Sequence, residues 1–278
     1  MKSYGIEWVG GKTKILKDLF DVFPKADCFV DLFTGGGSVA HYAVLSGKYN
    51  RVIVNDLNLM SISFLKNAIN GRYQNKRAYI SRNVFHKLKT YDPFVRYLWS
   101  FGSNGKDYMY GEGYEVIERA LHYVLFFNDF RLLNKIDIRL SLKLNKTLNK
   151  VVNYQDREKI IRSVSGKRML HIEKLRRLNN LIELKNKNIK FYSTQYDLVP
   201  IPENSVIYCD IPYKGTFDYG MDFDYEKFYK WAKNQNNIFI SEYDMPNDFV
   251  CVKKIYKECS FAKNNSNLTI EKLFIPKR

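Results

Sequence analysis

The chain has 278 residues, 45% of them apolar, and carries 45 Lys and Arg against 29 Asp and Glu, a formal net charge of +16. That length holds a full core, as one large domain or as one domain with a second inserted into it. Four cysteines (Cys28, Cys209, Cys251, Cys259) with no CxxC pair and no nearby histidine cluster argue against a disulfide framework or a zinc site. The absence of an 18-residue apolar run or an N-terminal apolar segment argues against a membrane span or a leader, so the expected location is the cytoplasm. No metal is expected.

In chain order, "WVGGKTK" (8–14) looks at first like a phosphate loop, but the required leading glycine falls on Ile6, with Gly5 one place out of register. "KTKILKDLF" (12–20) predicts an amphipathic helix. "CFVDLF" (28–33) predicts a strand that stops at "TGGGS", "VAHYAVLS" a helix, and "RVIVND" a second strand ending at Asp56. Strand, glycine turn, helix and strand in about 30 residues predict a parallel βαβ unit.

The middle differs. "SFGSNGKDYMYGEGY" (100–114) reads as a Gly/aromatic loop, and "RLSLKLNK" (139–146), with apolar and basic residues alternating, as a half-exposed strand. The stretch 156–184 places Leu170, Leu175, Leu178 and Ile182 near helical spacing, as core, with Arg and Lys on its other faces. Afterwards the α/β style returns: "SVIYCD" (205–210) and "NIFISEY" (237–243) predict strands around a helix in "DYEKFYKWAKN" (224–234). The expected organisation is an α/β domain split into 1–60 and 191–278, with a mainly helical basic insert at 61–190.

The whole charge excess lies in that insert, with 27 Lys and Arg against 11 Asp and Glu, while the rest of the chain carries 18 of each. A compositional bias toward lysine would load all segments alike, so a clustered basic face points to nucleic-acid phosphates.

Phe33-Thr34-Gly35-Gly36-Gly37 follows a strand directly, where glycines permit a tight turn and close approach of a ligand. Asp56 ends the next strand, where an acid in nucleotide-binding βαβ folds accepts from ribose hydroxyls. The third glycine of a pyrophosphate cradle is missing, which favours a nucleoside cofactor without phosphates. Trp8, Gly10, Gly11 and Lys12 read as a ligand-lining loop. His41, His86, His122 and His171 are scattered and receive no role. "DIPY" (210–213), in isolation, reads as an ordinary strand-end turn.

Together these stretches carry a resemblance. "DIPY" resembles the [DNS]-P-P-[YFW] motif of amino-group methyltransferases, "FVDLFTGGGS" (29–38) is similar to their S-adenosylmethionine loop, and "EWVGGKTKIL" (7–16) resembles the W-x-G-G-K segment of Dam-type DNA adenine methyltransferases. The order of motifs is also that of the Dam group. "WSFGSNGKDYMYG", "CDIPYKGT" and "FISEYDMP" look like its phage-type members.

The resemblance implies a Rossmann-like S-adenosylmethionine-dependent methyltransferase domain with an inserted target-recognition domain, acting on double-stranded DNA as a monomer, with or without a restriction partner. It implies that Trp8, Gly11, Lys12, Asp31, Phe33, Gly35, Gly37, Asp56, Tyr196 and Asp210 line the cofactor site. It makes Asp210, Ile211, Pro212 and Tyr213 the catalytic motif, with a side chain free to vary at Ile211 and a role for Tyr213 through its ring and not its hydroxyl. In "FFNDFRLLN" (126–134), Asn128, Arg131 and Asn134 partly resemble a recognition hairpin and become candidate DNA contacts, although the G-x-F-N-x-P-x-G that normally follows is absent. An inactive DNA-binding protein on the same fold, and an RNA or cytosine-N4 enzyme, remain as alternatives.

Overall fold

The computed structural model describes residues 3–213, 223–258 and 268–278. The chain divides into two compact units, Met1–Gly71 with Asn180–Arg278, and Arg72–Asn179.

The first unit is built on a seven-stranded sheet of order β3-β2-β1-β4-β5-β7-β6. Its strands are β1 (Cys28–Asp31), β2 (Arg51–Asn55), β3 (Ile189–Tyr192), β4 (Ser205–Asp210), β5 (Ile238–Glu242), β6 (Phe249–Glu258) and β7 (Leu268–Pro276). The first five in sequence pair in parallel, whereas β7 runs antiparallel to both β5 and β6. Strands β1, β2, β4 and β5 read as near-continuous apolar runs because both their faces are buried. Their alternation sorts the core into two layers. Phe29, Val52, Val54, Val206 and Tyr208 join one layer with Leu16, Leu19, Phe20 and Phe23. Cys28, Val30, Ile53, Ile207 and Cys209 join the other with Phe228, Tyr229 and Ala232. The covering helices are α1 (Leu16–Val22) and α2 (Ser38–Leu45) on the first layer, and α11 (Tyr225–Lys233) on the second.

Chain order reverses between β1 and β4, since β2 and β3 extend to one side and β4 and β5 to the other. Open α/β sheets bind ligands outside the carboxyl ends of the strands at such a switch point.

The division between the units falls at Gly71 and Asn180 and not at the expected 60 and 190. At the first boundary the reason lies in α3 (Leu59–Ile69), whose buried face includes Ile62, Phe64 and Leu65 and packs with the first unit, Leu65 against Gly37.

The second unit is helical: α4 (Arg82–Leu88), α5 (Pro93–Leu98), α6 (Glu112–Phe127), α7 (Arg131–Ile136), α8 (Ile138–Leu148), α9 (Tyr154–Ser165) and α10 (Leu170–Asn180). The expected strand at 139–146 is therefore wrong; it lies inside α8. Its apolar residues alternate, yet the buried positions are Ser141, Leu144 and Leu148, at helical spacing, and Leu142 is 62% exposed. Leu, Lys and Arg favour helix intrinsically, and the Asp137 carboxylate caps the helix by accepting from the Leu140 amide at 2.9 Å. The leucine-rich stretch 156–184 is broken at Gly166, which ends α9 in the left-handed region at φ +66.

Among the described residues, no helix is long and apolar enough to cross a membrane, and no His/Cys/Asp/Glu group could hold a metal ion.

Candidate active site

Neighbouring strands β1 and β4 deliver Asp31 and Asp210 to the carboxyl edge of the sheet, Asp210 two residues beyond the partner of Asp31, flanking the switch point. The turn after β1 is closed by bonds from the Thr34 amide to the Asn55 carbonyl (2.9 Å), the Thr34 hydroxyl to the Asp31 carbonyl (2.9 Å) and the Gly37 amide to the Thr34 carbonyl (2.8 Å). Gly35 and Gly37 have φ of +49 and +72, which L side chains rarely adopt. Their open sides are filled by the protein itself. A Cβ on Gly35 would fall 2.8 Å from Trp8 Nε1, one on Gly36 2.6 Å from Trp8 Cβ, and one on Gly37 2.8 Å from Leu65. Trp8 thus lies over the glycine turn as part of its scaffold, and the Gly11 amide donates to the Trp8 carbonyl at 3.1 Å.

Asp56, just past β2, ties this turn down. One of its oxygens accepts from the Gly35 amide (2.8 Å) and the other from the Asn58 amide (2.9 Å). Burial raises its pKa, against the pull of those amides. Asp31 is more extreme: it is buried, and neither carboxylate oxygen completes a hydrogen bond with a described residue. Burial first, and then the Asp210 charge, hold its pKa well above the usual carboxylate range, while the amides of Ala40 and Phe33 only oppose the shift.

The Asp210 carboxylate keeps 23% of its side-chain surface exposed and pairs with Lys12 Nζ at 2.8 Å. The same buried ammonium pairs with Glu271 Oε1 at 3.0 Å, and donates to the Tyr213 hydroxyl at 2.9 Å and the Gly10 carbonyl at 3.3 Å. The Tyr213 hydroxyl in turn donates to Glu271, and the Tyr213 ring packs edge-to-face on Tyr243, centroids 4.7 Å apart. Burial opposes the charge on Lys12, but Asp210 and Glu271 more than offset it and raise the Lys12 pKa. Burial raises the Asp210 pKa; Lys12 pulls it down and Glu271 pushes it up. Tyr213 is held neutral by burial and by both carboxylates.

Glu271 was not foreseen. It reaches the site because β7 is antiparallel: Lys272 pairs with Glu242 at the end of β5, so Glu271 lies at the same edge as the ends of β4 and β5. The available signal was an acid two residues before Leu273, on the buried face of an apolar strand. Ile211 also departs from expectation. Its side chain is buried in the core layer with Cys209 and Phe228, so it is packed and not free to vary.

A third wall is aromatic. Tyr196, in a 3₁₀ turn over Tyr196–Leu198, packs near Phe33 (5.8 Å), Phe228 (5.2 Å) and Trp231 (5.0 Å). Its buried hydroxyl has no hydrogen-bond partner among the described residues, and burial raises its pKa to about 12. The loop after Tyr213 lies outside the described residues.

The candidate DNA contacts fall in the second unit, and the expected hairpin there is instead the end of α6 and the helix α7. Asn128 caps α6 in the left-handed region, and its side-chain oxygen accepts from Arg157 at 2.8 Å. Arg131 is 89% exposed and chelated by Asp129, whose pKa the Arg131 hydrogen bonds lower to about 2. Asn134 is exposed on α7. The histidines expected to be scattered are partly gathered. His122 and His171 meet at 2.9 Å inside the second unit, and His41 joins the Gly5 amide (3.0 Å) to Glu183 (2.9 Å) in the first.

Comparison with known proteins gives three findings. The chain is similar over 214 residues, at 23% identity, to the type II methyltransferase M.FokI of Planomicrobium okeanokoites, a match covering 75% of this chain and 28% of that protein. Among solved structures it is similar to the rRNA methyltransferase aviRa of Streptomyces viridochromogenes, with a TM-score of 0.35 at 10% identity over 95% of this chain and 84% of the other, a likeness too slight to carry weight. Residues 8–269, nearly the whole chain, match the family described as D12 class N6 adenine-specific DNA methyltransferase. The chain belongs to the D12 class N6 adenine-specific DNA methyltransferases.

Proposed function

We propose that this chain transfers a methyl group from S-adenosylmethionine to the N6 amine of an adenine turned out of double-stranded DNA. The observation that carries the reading is Asp210, presented at the carboxyl end of β4 beside the switch point and followed by Ile211-Pro212-Tyr213. Family membership supports the same activity.

The residues present suit the cofactor. Among the described residues, Asp31, Asp56, Asp210 and Glu271 stand against a single buried cation, Lys12, so the site favours a ligand bearing positive charge. S-adenosylmethionine brings a sulfonium and an ammonium, and supplies the electrophilic methyl when bound. Asp56 keeps lone pairs for ribose hydroxyls beyond those its two amide partners use, and Phe33 with Tyr196 offers ring faces for an adenine. Asp31, Gly35, Gly37 and Gly11 complete the set, with Trp8 supporting the glycine turn.

The adenine amine is a poor nucleophile because its lone pair is delocalised into the ring. The Asp210 carboxylate and the Ile211 carbonyl accept its two N–H groups, which drives the nitrogen toward sp³ and aims the lone pair outward. Pro212 fixes φ and so holds the carbonyl that precedes it. Lys12 favours the ionised form of Asp210 and holds it in place. The Tyr213 ring offers the extruded base a stacking face, and its hydroxyl bonds keep that ring oriented. After transfer the nitrogen sheds its extra proton toward the Asp210 carboxylate. Asn128, Arg131 and Asn134 are the proposed contacts to the DNA target.

The test is single-turnover methyl transfer with N6-methyladenine as the readout. Asp210→Ala is expected to abolish transfer while the protein stays folded and still binds duplex DNA, since a partly exposed strand-end carboxylate leaves no core cavity. Wild-type rates in Asp210→Ala would overturn the assignment.

A further inference from the structure

The second unit carries 23 Lys and Arg against 10 Asp and Glu, and its C-terminal helices treat their cations differently. On α9 and α10 they are largely answered within the protein: Lys159 pairs with Asp156 (3.0 Å), Arg162 and Arg168 with Glu173 (3.6 and 2.7 Å), and Arg176 with Glu158 (3.7 Å). Helix α8 is different. Arg139, Lys143, Lys146 and, just beyond its end, Lys150 are all exposed, and none makes an ion pair with a described residue.

Their spacing of four, three and four residues lays them along one stripe of the helix. The stripe is opposite the buried Ser141, Leu144 and Leu148, and runs about 16 Å at 1.5 Å per residue. The nearest acid in sequence, Asp137, is engaged at the helix N-cap. Helix stability does not explain the stripe as a whole, since within α8 only Lys146, in the last turn, gains from the helix dipole. Cations three and four apart repel one another, and Arg139 lies in the first turn, where the helix dipole disfavours positive charge.

We propose that this face of α8 binds the phosphate backbone of the DNA substrate, with Arg139, Lys143, Lys146 and Lys150 each facing phosphates. The inference rests on the reading of the chain as a DNA methyltransferase for the identity of the polyanion. Duplex DNA presents a phosphate about every 3.4 Å of rise along each strand, so a stripe about 16 Å long meets several in a row. Backbone contacts of this kind position the protein without reading sequence, which leaves base contacts to other residues of the unit.

The test is equilibrium binding of a short duplex, without cofactor, across a salt series. The variant Arg139→Gln/Lys143→Gln/Lys146→Gln/Lys150→Gln should bind more weakly, with its log–log salt slope less negative by about 3 to 4, since each phosphate no longer neutralised takes about 0.9 from it. The charge-preserving variant Arg139→Lys/Lys143→Arg/Lys146→Arg/Lys150→Arg should keep the wild-type slope. Lys143→Gln and Lys146→Gln alone should each remove about 0.9, so a folding failure of the fourfold variant leaves the question answerable. An unchanged slope in the glutamine variants of a protein that still methylates DNA would overturn the stripe and leave the function standing. Loss of binding to vesicles of anionic lipid, with duplex binding unchanged, would assign the face to a membrane and overturn it as well. A wild type that binds duplex, with the glutamine variants reducing its slope as stated, but transfers no methyl would instead overturn the catalytic reading alone.

Discussion

Asp210 sits between a cation that eases its ionisation and an anion that opposes it, and the proposed reaction needs it ionised. Burial already raises its pKa, so the acid limb of the pH–rate profile should lie above the ordinary carboxylate range. Lys12→Met should move that limb to higher pH, because the offsetting charge is gone. Glu271→Gln should move it to lower pH, because the repulsion is gone. Single-turnover rates against pH read both shifts, and equal displacement in the same direction would refute the coupling. Lys12→Met should also destabilise the fold by about 3–5 kcal/mol, since it leaves two carboxylates facing each other without their cation; chemical denaturation measures this. Tyr213→Phe is not expected to be silent. It removes one of the acceptors of Lys12 and the hydroxyl that donates to Glu271 and should cost about 1–3 kcal/mol of stability, along with part of the methyl-transfer rate.

At the scale of elements, helices α6 and α10 meet through a polar core. His122 Nδ1 and His171 Nε2 are 2.9 Å apart, His171 Nδ1 bonds the Tyr110 hydroxyl at 2.5 Å, and His122 Nε2 bonds the Arg77 carbonyl at 2.8 Å. Burial lowers the His122 pKa to about 4, and burial and then His122 lower that of His171 well below its usual value. Both are neutral in the folded unit. The unfolded chain takes up protons near pH 6.5 and the folded one does not, so stability is complete above that pH. It should then fall by about 1.4 kcal/mol per pH unit per histidine as the pH drops from about 6.5 toward 4. Melting curves by circular dichroism at fixed ionic strength across that window check it, and a flat profile would show the pair to be protonated already in the fold.

At the scale of the molecule, charge is divided unevenly: the second unit holds 23 of the 45 Lys and Arg but only 10 of the 29 Asp and Glu. Duplex affinity should therefore drop steeply between about 50 and 200 mM salt. Cofactor affinity should hardly change over the same range, because the carboxylates proposed to receive it are buried or half-buried and poorly screened. Parallel calorimetric titrations of duplex and cofactor would show the contrast, and equal salt sensitivity would contradict it.

Much of the α/β unit was legible from local pattern alone. Short apolar runs ending in Asp31 and Asp210 mark strands buried on both faces, and Gly35-Gly36-Gly37 between a strand and a helix marks the turn, because these preferences act over a few neighbouring residues. The role of Glu271 was not legible, since 58 residues separate it from Tyr213 and only the reversed direction of β7 brings it to the carboxyl edge. Lys12, 201 residues from Tyr213, was marked as site-lining, but its grip on Asp210 exists only once strand and N-terminal turn are packed. Helix α8 was misread because alternating leucines satisfy a strand and a helix alike. What decides between them is which positions find a partner to bury against, and Ser141, Leu144 and Leu148 find theirs only when the chain is folded.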